Sequence, residues 1–274
     1  MTSTTASHLG AYIEGIGLLG PGFSSWAQGR ACLDGSAPYV PARAVLPLPM
    51  ALPSAERRRA GAVVKVSLAV GQEAVAASGL QAAALASVFS SSSGDAVNCH
   101  EICSVLASND RSISPTRFHN SVHNAPSGYW SISSGAMATS SVLCARDAGF
   151  AAGLLEAITQ CSVDDRAVLL VVYDTEYPEP LFSKRPVPDT LGVALVLSPR
   201  RSERSVARIE LDGATYLSAA AADTMDDPEL EALRRAIPAA AGLPLLQAIA
   251  KAQGRVVVLS YLDPVQFAVT VSPC

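Results

Sequence analysis

Two long runs of apolar residues constrain the fold of this chain more than any other feature. The segments RAVLLVVYD (166–174) and LGVALVLSP (191–199) carry aliphatic side chains at consecutive positions rather than at alternate ones. Because successive side chains of a strand point to opposite faces of its sheet, a strand that is apolar throughout must be covered on both faces. The two runs therefore predict a sheet with helices packed on each side, which is an α/β architecture.

Helical and strand-like patterns alternate along the rest of the chain. A strand pattern in AYIEGIGLLGPGF breaks at Gly20, and a helical pattern runs from Ser54, its expected N-cap, to Gly79. Another helix is predicted from Asp147 to Ser162, where alanine and glycine allow another backbone to approach closely. Further elements are predicted at ASVFSSSSGD, NCHEICSVLAS, VARIELDG, DDPELEALRRAI and LPLLQAIAKAQ, and as a hairpin that joins RVVVLSY to FAVTV.

Two stretches predict no regular element. Five prolines exclude a long helix or a central strand between Pro38 and Pro53. Residues 111–135 are polar and interrupted by proline and glycine, so a loop is expected there. Tyr129 and Trp130 lie in this loop, either as core residues or as anchors for a partner. No boundary is evident, and residues 1–274 are interpreted as one domain.

Charge and cysteine content limit the compartment and the partners. The chain has a net charge of −4, and its basic cluster is only Arg57, Arg58 and Arg59, so nucleic acid is not an expected partner. Six cysteines at scattered spacings, without a CxxC pair, are typical of reduced intracellular thiols. The sequence has neither a signal peptide pattern nor an apolar run of the roughly 20 residues that cross a bilayer. The cytoplasm is the expected location.

Cys144 and Asp147 stand where a strand pattern gives way to a helix, a common position for a nucleophile. A thiol near a helix N-terminus can be reactive if it is exposed, and His123 is the base that would accompany Cys144. The alternative is that Cys144 is a small buried residue at the end of a core strand. Asp147 would act as a helix cap, since a carboxylate at that end is stabilised by roughly 0.3–1 kcal/mol.

Metal and nucleotide sites are weaker hypotheses. A soft-metal site would draw on Cys99, His100, Cys103, His119 and His123. The His-x-x-x-His spacing places both rings on one face only in a helix, and the surrounding asparagines and proline favour a loop, so no metal is expected. The segment GIGLLGPG lacks the G-x-G-x-x-G pattern, and SSSSG lacks a phosphate-binding lysine. The glycines of GIGLLGPG are interpreted as the transition from a strand to a loop, and no cofactor is expected.

Several of these segments, taken in order, resemble the β-ketoacyl synthases of the thiolase-like fold. AYIEGIGLLGPGF resembles their opening strand, and ERRRAGAVVKVSLAVGQEAVAASGL their first long helix. SVFSSSSGD is similar to the next strand and glycine loop, and SPTRFHNSVHNAPSGYWSI to the segment that ends in a Gly-x-x-Ser-Ile signature. RAVLLVVYD and LGVALVLSP resemble the strand after the nucleophile helix and the strand that opens the second half. The resemblance covers residues 11–199.

The resemblance implies a five-layer αβαβα fold built from two halves. Residues 1–165 would form the first half, with the nucleophile region, and residues 166–274 a shortened second half. Members of the family act as dimers in which the strand that leads to the nucleophile pairs across the two-fold axis. In this chain that strand would comprise Thr139, Ser140, Ser141, Val142 and Leu143.

Three departures from the family imply that condensing activity is absent. The family nucleophile is a cysteine at the start of the helix AGFAAGLLEAI, and the matching position here is Asp147, which cannot form a thioester. The family also uses two histidines in its second half, whereas this chain has none after His123. Finally, the chain ends short of a full synthase. No catalytic residue is therefore expected.

Synthase-like subunits without a nucleophile are known as chain-length factors. DAGFAAGLLEA followed by LLVVYD resembles the short versions that accompany aryl polyene synthases, including the xanthomonadin type. This implies a heterodimer with a full-length β-ketoacyl synthase, and indirect contact with an acyl carrier protein. By position, Ile102, Leu106 and Phe118 would line the acyl tunnel. The alternatives are an enzyme that uses Cys144, and a homodimeric acyl-binding protein.

Overall fold

The computed structural model describes residues 9–211 and 217–274. Within these ranges the strands are β1 (Leu9–Leu19), β2 (Ala86–Ser91), β3 (Ser140–Cys144), β4 (Val168–Asp174), β5 (Leu191–Ser198), β6 (Ala207–Leu211), β7 (Leu217–Ser218), β8 (Arg255–Leu262) and β9 (Val265–Pro273). The helices are α1 (Trp26–Asp34), α2 (Ser54–Arg59), α3 (Ala62–Ser78), α4 (Ala96–Ala107), α5 (Pro115–His119), α6 (Ala125–Ser134), α7 (Gly149–Val163), α8 (Pro228–Ala236) and α9 (Leu243–Ala250).

The strands form one mixed sheet in the order β3-β2-β4-β5-β1-β6-β9-β7, and β8 pairs with β9. Strands β2, β3 and β4 run parallel, whereas β5 is antiparallel to both β4 and β1. The two apolar runs are β4, which is buried at every position, and β5, which is buried at every position before Ser198. The α/β class and the two central strands are confirmed.

Helices cover the two faces of the first half of the sheet. Helices α3 and α6 contribute to one apolar core, in which Trp130 and Phe89 are fully buried. Helix α7 belongs to a second core on the other face, together with Leu170 and Phe150. Tyr129 and Trp130 are 2% and 1% exposed, so both are core residues rather than anchors for a partner.

Helix α3 lies unusually close to β1. A Cβ atom at Gly15 would stand 2.0 Å from the Ala74 carbonyl oxygen, and one at Gly17 would stand 2.0 Å from that of Val70. Gly15 and Gly17 lie inside β1 and make room for the helix. The end of this strand predicted at Gly20 is confirmed, since β1 ends at Leu19 and Gly20 bridges to Phe23 in the turn that follows.

The helix predicted from Ser54 to Gly79 differs from the structure in two ways. It is divided into α2 and α3, because the backbone of Ala60 and Gly61 is extended. Gly61 also lies close to Asp95, whose carboxylate would be 3.2 Å from a Cβ at this position. Ser54 is not an N-cap, since no side chain caps α2, but the helix does end at Gly79, which adopts the left-handed conformation.

The loop predicted over residues 111–135 is also wrong, because it contains α5 and α6. Pro115 and Pro126 each lie in the first turn of a helix, where a missing N–H and a fixed φ are compatible with helix formation. Gly135, in the left-handed conformation, ends α6. The irregular segment Pro38 to Pro53 is confirmed, as it holds neither a helix nor a strand.

In β8 and β9, buried and partly exposed positions alternate along each strand. One face of this part of the sheet therefore contacts solvent, which matches a shortened second half. The predicted hairpin between these strands is confirmed, with its turn at Asp263 and Pro264.

Two predictions fall outside the described residues. One is the absence of a signal peptide, which concerns residues 1–8, and the other is the end of the strand VARIELDG. No helix in the described ranges is long and apolar enough to span a bilayer.

Candidate functional site

The candidate site lies where the parallel strands β3, β2 and β4 end beside one another. Cys144 is the last residue of β3, the loop Ser92–Gly94 follows β2, and Asp174 is the last residue of β4. Ligand sites in α/β sheets commonly form at the carboxyl ends of strands. The start of α7 and the loop after β4 complete this region.

Asp147 lies in a short 3-10 turn, Arg146–Ala148, immediately before α7. Its Oδ1 accepts a hydrogen bond of 2.5 Å from Nη2 of Arg185. No side chain caps α7, so the prediction that Asp147 acts as a helix cap is wrong. The ion pair is asymmetric, because the Asp147 side chain is 74% exposed and that of Arg185 only 25%. The Arg185 guanidinium also lies 5.8 Å from the centre of the Tyr177 ring.

Cys144 contacts the loop after β2, whereas His123 contacts the last residue of β2 itself. The exposed Cys144 thiol donates a hydrogen bond of 3.2 Å to the Ser92 carbonyl oxygen. Nε2 of His123 lies 3.3 Å from Oγ of Ser91, and burial lowers the pKa of His123. No hydrogen bond joins Cys144 to His123 among the described residues. The thiol therefore has a carbonyl partner rather than a base.

A buried carboxylate that was not identified from the sequence underlies this loop. Asp174 is 3% exposed, and its Oδ1 accepts hydrogen bonds from the Ser92 amide at 2.9 Å and the Ser92 hydroxyl at 2.6 Å. The Tyr177 hydroxyl lies 3.0 Å from Oγ of Ser92 and 2.6 Å from Oγ of Ser93. Burial raises the pKa of Asp174 to about 6, although the hydrogen bonds from Ser92 act in the opposite direction.

The raised pKa of Asp174 predicts a pH-dependent stability. The unfolded carboxyl titrates near 3.8, so the folded protein binds more protons between about pH 4 and pH 6. The free energy of unfolding should therefore fall by up to about 3 kcal/mol as the pH rises through this range. In Asp174→Asn, which cannot ionise, the part of this slope that Asp174 contributes should disappear in urea denaturation series at pH 4, 5, 6 and 7.

The exposed Asp226 provides the matched control. Asp226→Asn removes the same charge from the surface and should keep the slope of the unsubstituted protein. Parallel pH profiles for the unsubstituted protein and Asp174→Asn would show that Asp174 does not titrate as argued.

The residues predicted to form the dimer strand lie at the edge of the sheet. Ser140, Ser141, Val142 and Leu143 form β3 with Cys144, and the Thr139 carbonyl accepts a hydrogen bond from Ser87 just before it. Within the described ranges β3 pairs only with β2, so its other edge carries free backbone groups.

The residues predicted to line a tunnel lie in elements that are poorly buried. Helix α4 buries only Ala96 and Asn98, and it leaves Ile102 half-buried and Leu106 46% exposed. Phe118, on α5, is 68% exposed. The apolar side chains in these helices therefore face solvent in the single chain.

The residues of the alternative metal site are dispersed. His119 ends α5 and lies edge-on to Tyr129, with ring centres 6.5 Å apart, while Cys99, His100 and Cys103 are on α4. Among residues 9–211 and 217–274, no group of three or more His, Cys, Asp or Glu side chains could hold a metal ion.

Comparison with known proteins identifies the family. The model of the β-ketoacyl synthase N-terminal domain matches residues 25–258. A chain in the complex of the ketosynthase ApeO with its chain length factor ApeC from Xenorhabdus doucetiae has a TM-score of 0.69 at 22% identity, over 95% of this chain and 98% of that one. No curated protein sequence matches.

Two further solved structures have the same fold. A chain in AntDE:AntF, a type II PKS acyl-carrier protein in complex with its ketosynthase bound to the hexaketide, has a TM-score of 0.72 at 13% identity, over 97% of this chain and 99% of that one. For a β-ketoacyl synthase from Burkholderia phymatum STM815 the TM-score is 0.52 at 14% identity, over 89% and 71%. The thiolase-like fold predicted from the sequence is confirmed, and the chain belongs to the β-ketoacyl synthase family.

Proposed function

We propose that this chain is a ketosynthase-like subunit without condensing activity that pairs with an active β-ketoacyl synthase. In this role it is a chain-length factor of aryl polyene or related polyketide biosynthesis in the cytoplasm. It supplies one wall of the acyl tunnel of the synthase. The acyl carrier protein binds to the synthase, so its contact with this chain is indirect. Chain length is then set by the shape of the tunnel.

The ion pair of Asp147 with Arg185 is the observation that carries this proposal. Condensation through an acyl enzyme needs a nucleophile that forms a thioester, and a thiolate activated at a helix start is suited to that step. Asp147 stands at that position by sequence register, and its carboxylate is engaged by a guanidinium 2.5 Å away. An aspartate paired with an arginine at this position, in place of a thiolate, supports a site without covalent acyl chemistry.

Two exposed features support a partner subunit. An unpaired edge strand is a template for pairing with another chain, and exposed apolar side chains are typical of protein interfaces. We infer that residues 139–143 pair with the matching strand of the synthase. In the same arrangement Ile102, Leu106 and Phe118 face the partner or the acyl chain.

The pairing is tested by co-expression of this chain, carrying an affinity tag, with a full-length β-ketoacyl synthase from the same pathway. A one-to-one complex by size-exclusion chromatography with light scattering is the expected result. A stable dimer of this chain alone, with no synthase retained, would instead support the homodimeric acyl-binding protein.

A second candidate function is favoured by the exposure of Cys144. The thiol is accessible at the end of β3, and His123 contacts Ser91 at the end of the neighbouring strand β2. In that case the chain would be an acyltransferase or condensing enzyme that uses Cys144. Labelling of Cys144 by a thiol-reactive inhibitor of condensing enzymes, with loss of product formation, is the result that this function requires.

A further inference from the structure

A cavity of about 430 Å³ opens beside Asp147. It lies between the start of α7, the loop after β4 and the end of α8. The charged and polar side chains in its lining are those of Asp147, Arg185, Arg234, Arg235 and Ser260. Three guanidinium groups thus face one carboxylate around a space large enough for a small ligand.

The three arginines differ in how many hydrogen bonds and ion pairs their guanidinium groups make. Nε and Nη2 of Arg234 each donate a hydrogen bond of 2.7 Å to Glu231, and these bonds are the largest cause of a Glu231 pKa of about 2. Arg235 is exposed, and within the described part of the chain it has neither an ion pair nor a side-chain hydrogen bond. The positive charge of Arg234 is therefore neutralised locally, and that of Arg235 is available.

Arg185 is shielded from solvent over most of its side chain but makes few polar contacts. A guanidinium carries five N–H donors, and three quarters of the Arg185 side chain is withdrawn from solvent. Among the residues that the structure describes, its single hydrogen bond is the one to Asp147. The other N–H donors of this guanidinium are not taken up by the described residues, so they can bind an anion in the cavity.

The partner of Arg185 is easily displaced. The Asp147 side chain is 74% exposed, so its carboxylate can rotate into water with little loss of hydration. Pairs with a solvated partner contribute little, because water competes for both charges and screens them. A ligand oxyanion that bonds two guanidinium groups at once would exceed this contribution.

We propose that the cavity binds an oxyanion, the phosphate or carboxylate group of a small molecule, between Arg185 and Arg235, and that Asp147 competes with this ligand for Arg185. This inference rests on one part of the proposed function, namely that Asp147 does not act as a nucleophile. It gives the aspartate at this position a role in ligand affinity.

Calorimetric titration of the full chain, alone or with its co-purified synthase, tests the proposal. The probe is inorganic phosphate at constant ionic strength, with sodium chloride as the reference and acetate as a second arm. Saturable binding of phosphate is expected, together with about tenfold tighter binding in Asp147→Asn. Tighter binding of phosphate than of acetate indicates a phosphate ester, and the reverse order a carboxylate; either order supports the site.

Arginine variants localise the binding. Arg185→Gln and Arg235→Gln should each weaken phosphate binding about tenfold. Arg111→Gln is the matched control, because Arg111 is also exposed and lies outside the cavity lining, and it should change the affinity less than about twofold. If Arg185→Gln does not fold, Asp147→Asn and Arg235→Gln still decide the outcome.

The proposal is overturned if neither the unsubstituted protein nor Asp147→Asn binds phosphate or acetate saturably. It is also overturned if Arg111→Gln weakens binding as much as Arg235→Gln, since the effect would then be one of net charge. Because complex formation with a synthase is measured separately, failure of this titration leaves the proposed pairing intact.

Discussion

Gly17→Ala is expected to destabilise the protein severely or to prevent folding. The new Cβ would lie 2.0 Å from the Val70 carbonyl oxygen and 2.8 Å from its carbonyl carbon, and backbone atoms cannot move aside as a flexible side chain can. The expected loss is at or above the roughly 3 kcal/mol that ends the usual range for overpacking. Such a loss is a large fraction of the stability of a typical domain, and it would be measured by urea denaturation or by soluble yield.

Gly128→Ala is the matched control. Gly128 lies inside α6, and no heavy atom stands within 4 Å of a Cβ built there. The same substitution should therefore stabilise the helix by roughly 0.5–1 kcal/mol. If Gly17→Ala were as stable as the unsubstituted protein, the close approach of α3 to β1 would be incorrect.

Phe118→Glu is expected to abolish the complex with the synthase while the chain itself remains folded. Phe118 is 68% exposed, so its loss should change the free energy of unfolding by less than about 0.5 kcal/mol. Central aromatic residues of interfaces contribute about 2 kcal/mol or more, which corresponds to at least about thirtyfold in affinity. Leu106→Glu, on the neighbouring α4, should weaken the complex in the same direction.

Val256→Glu provides the control for both interface variants. Val256 is 54% exposed and lies on β8, at the opposite end of the sheet from β3. Affinity for the synthase, measured by surface plasmon resonance, should remain within about twofold of the unsubstituted value. Equal losses in Phe118→Glu and Val256→Glu would mean that the complex does not form through the surface that carries Phe118.

The central strands could be predicted from the sequence because burial on both faces leaves a direct pattern. Every residue of β4 is buried, and its run of apolar residues has no other explanation in a folded chain. The purpose of the glycines within β1 could not be predicted in the same way. A strand pattern does not show why a glycine lies inside it, and only the position of α3 shows that Gly15 and Gly17 allow a helix to approach closely.

Proline misled the prediction for residues 111–135 for a similar reason. Pro115 and Pro126 break a helix in its interior but are favourable in its first turn, and the sequence alone did not reveal which applied. A proline directly after Ser114 or Ala125 is compatible with a helix start as well as with a turn. Short helices of five and ten residues also give little periodicity.

The candidate site was only partly accessible to sequence reasoning. Cys144 and Asp147 were found because they flank a strand-to-helix transition. Arg185 was missed because it lies 38 residues from Asp147, in a loop without regular spacing. Asp174 did leave a signal, an acidic residue at the end of a wholly apolar strand, which indicates a buried and hydrogen-bonded carboxylate.

Native mass spectrometry tests the central claim most directly. The chain is co-expressed with a full-length synthase, an acyl-carrier thioester is added, and the mass of each subunit in the complex is determined. The account predicts a one-to-one complex with the acyl group on the synthase alone, and no change in Cys144→Ala. An acyl adduct on this chain that is lost in Cys144→Ala would contradict the account and identify the chain as an enzyme.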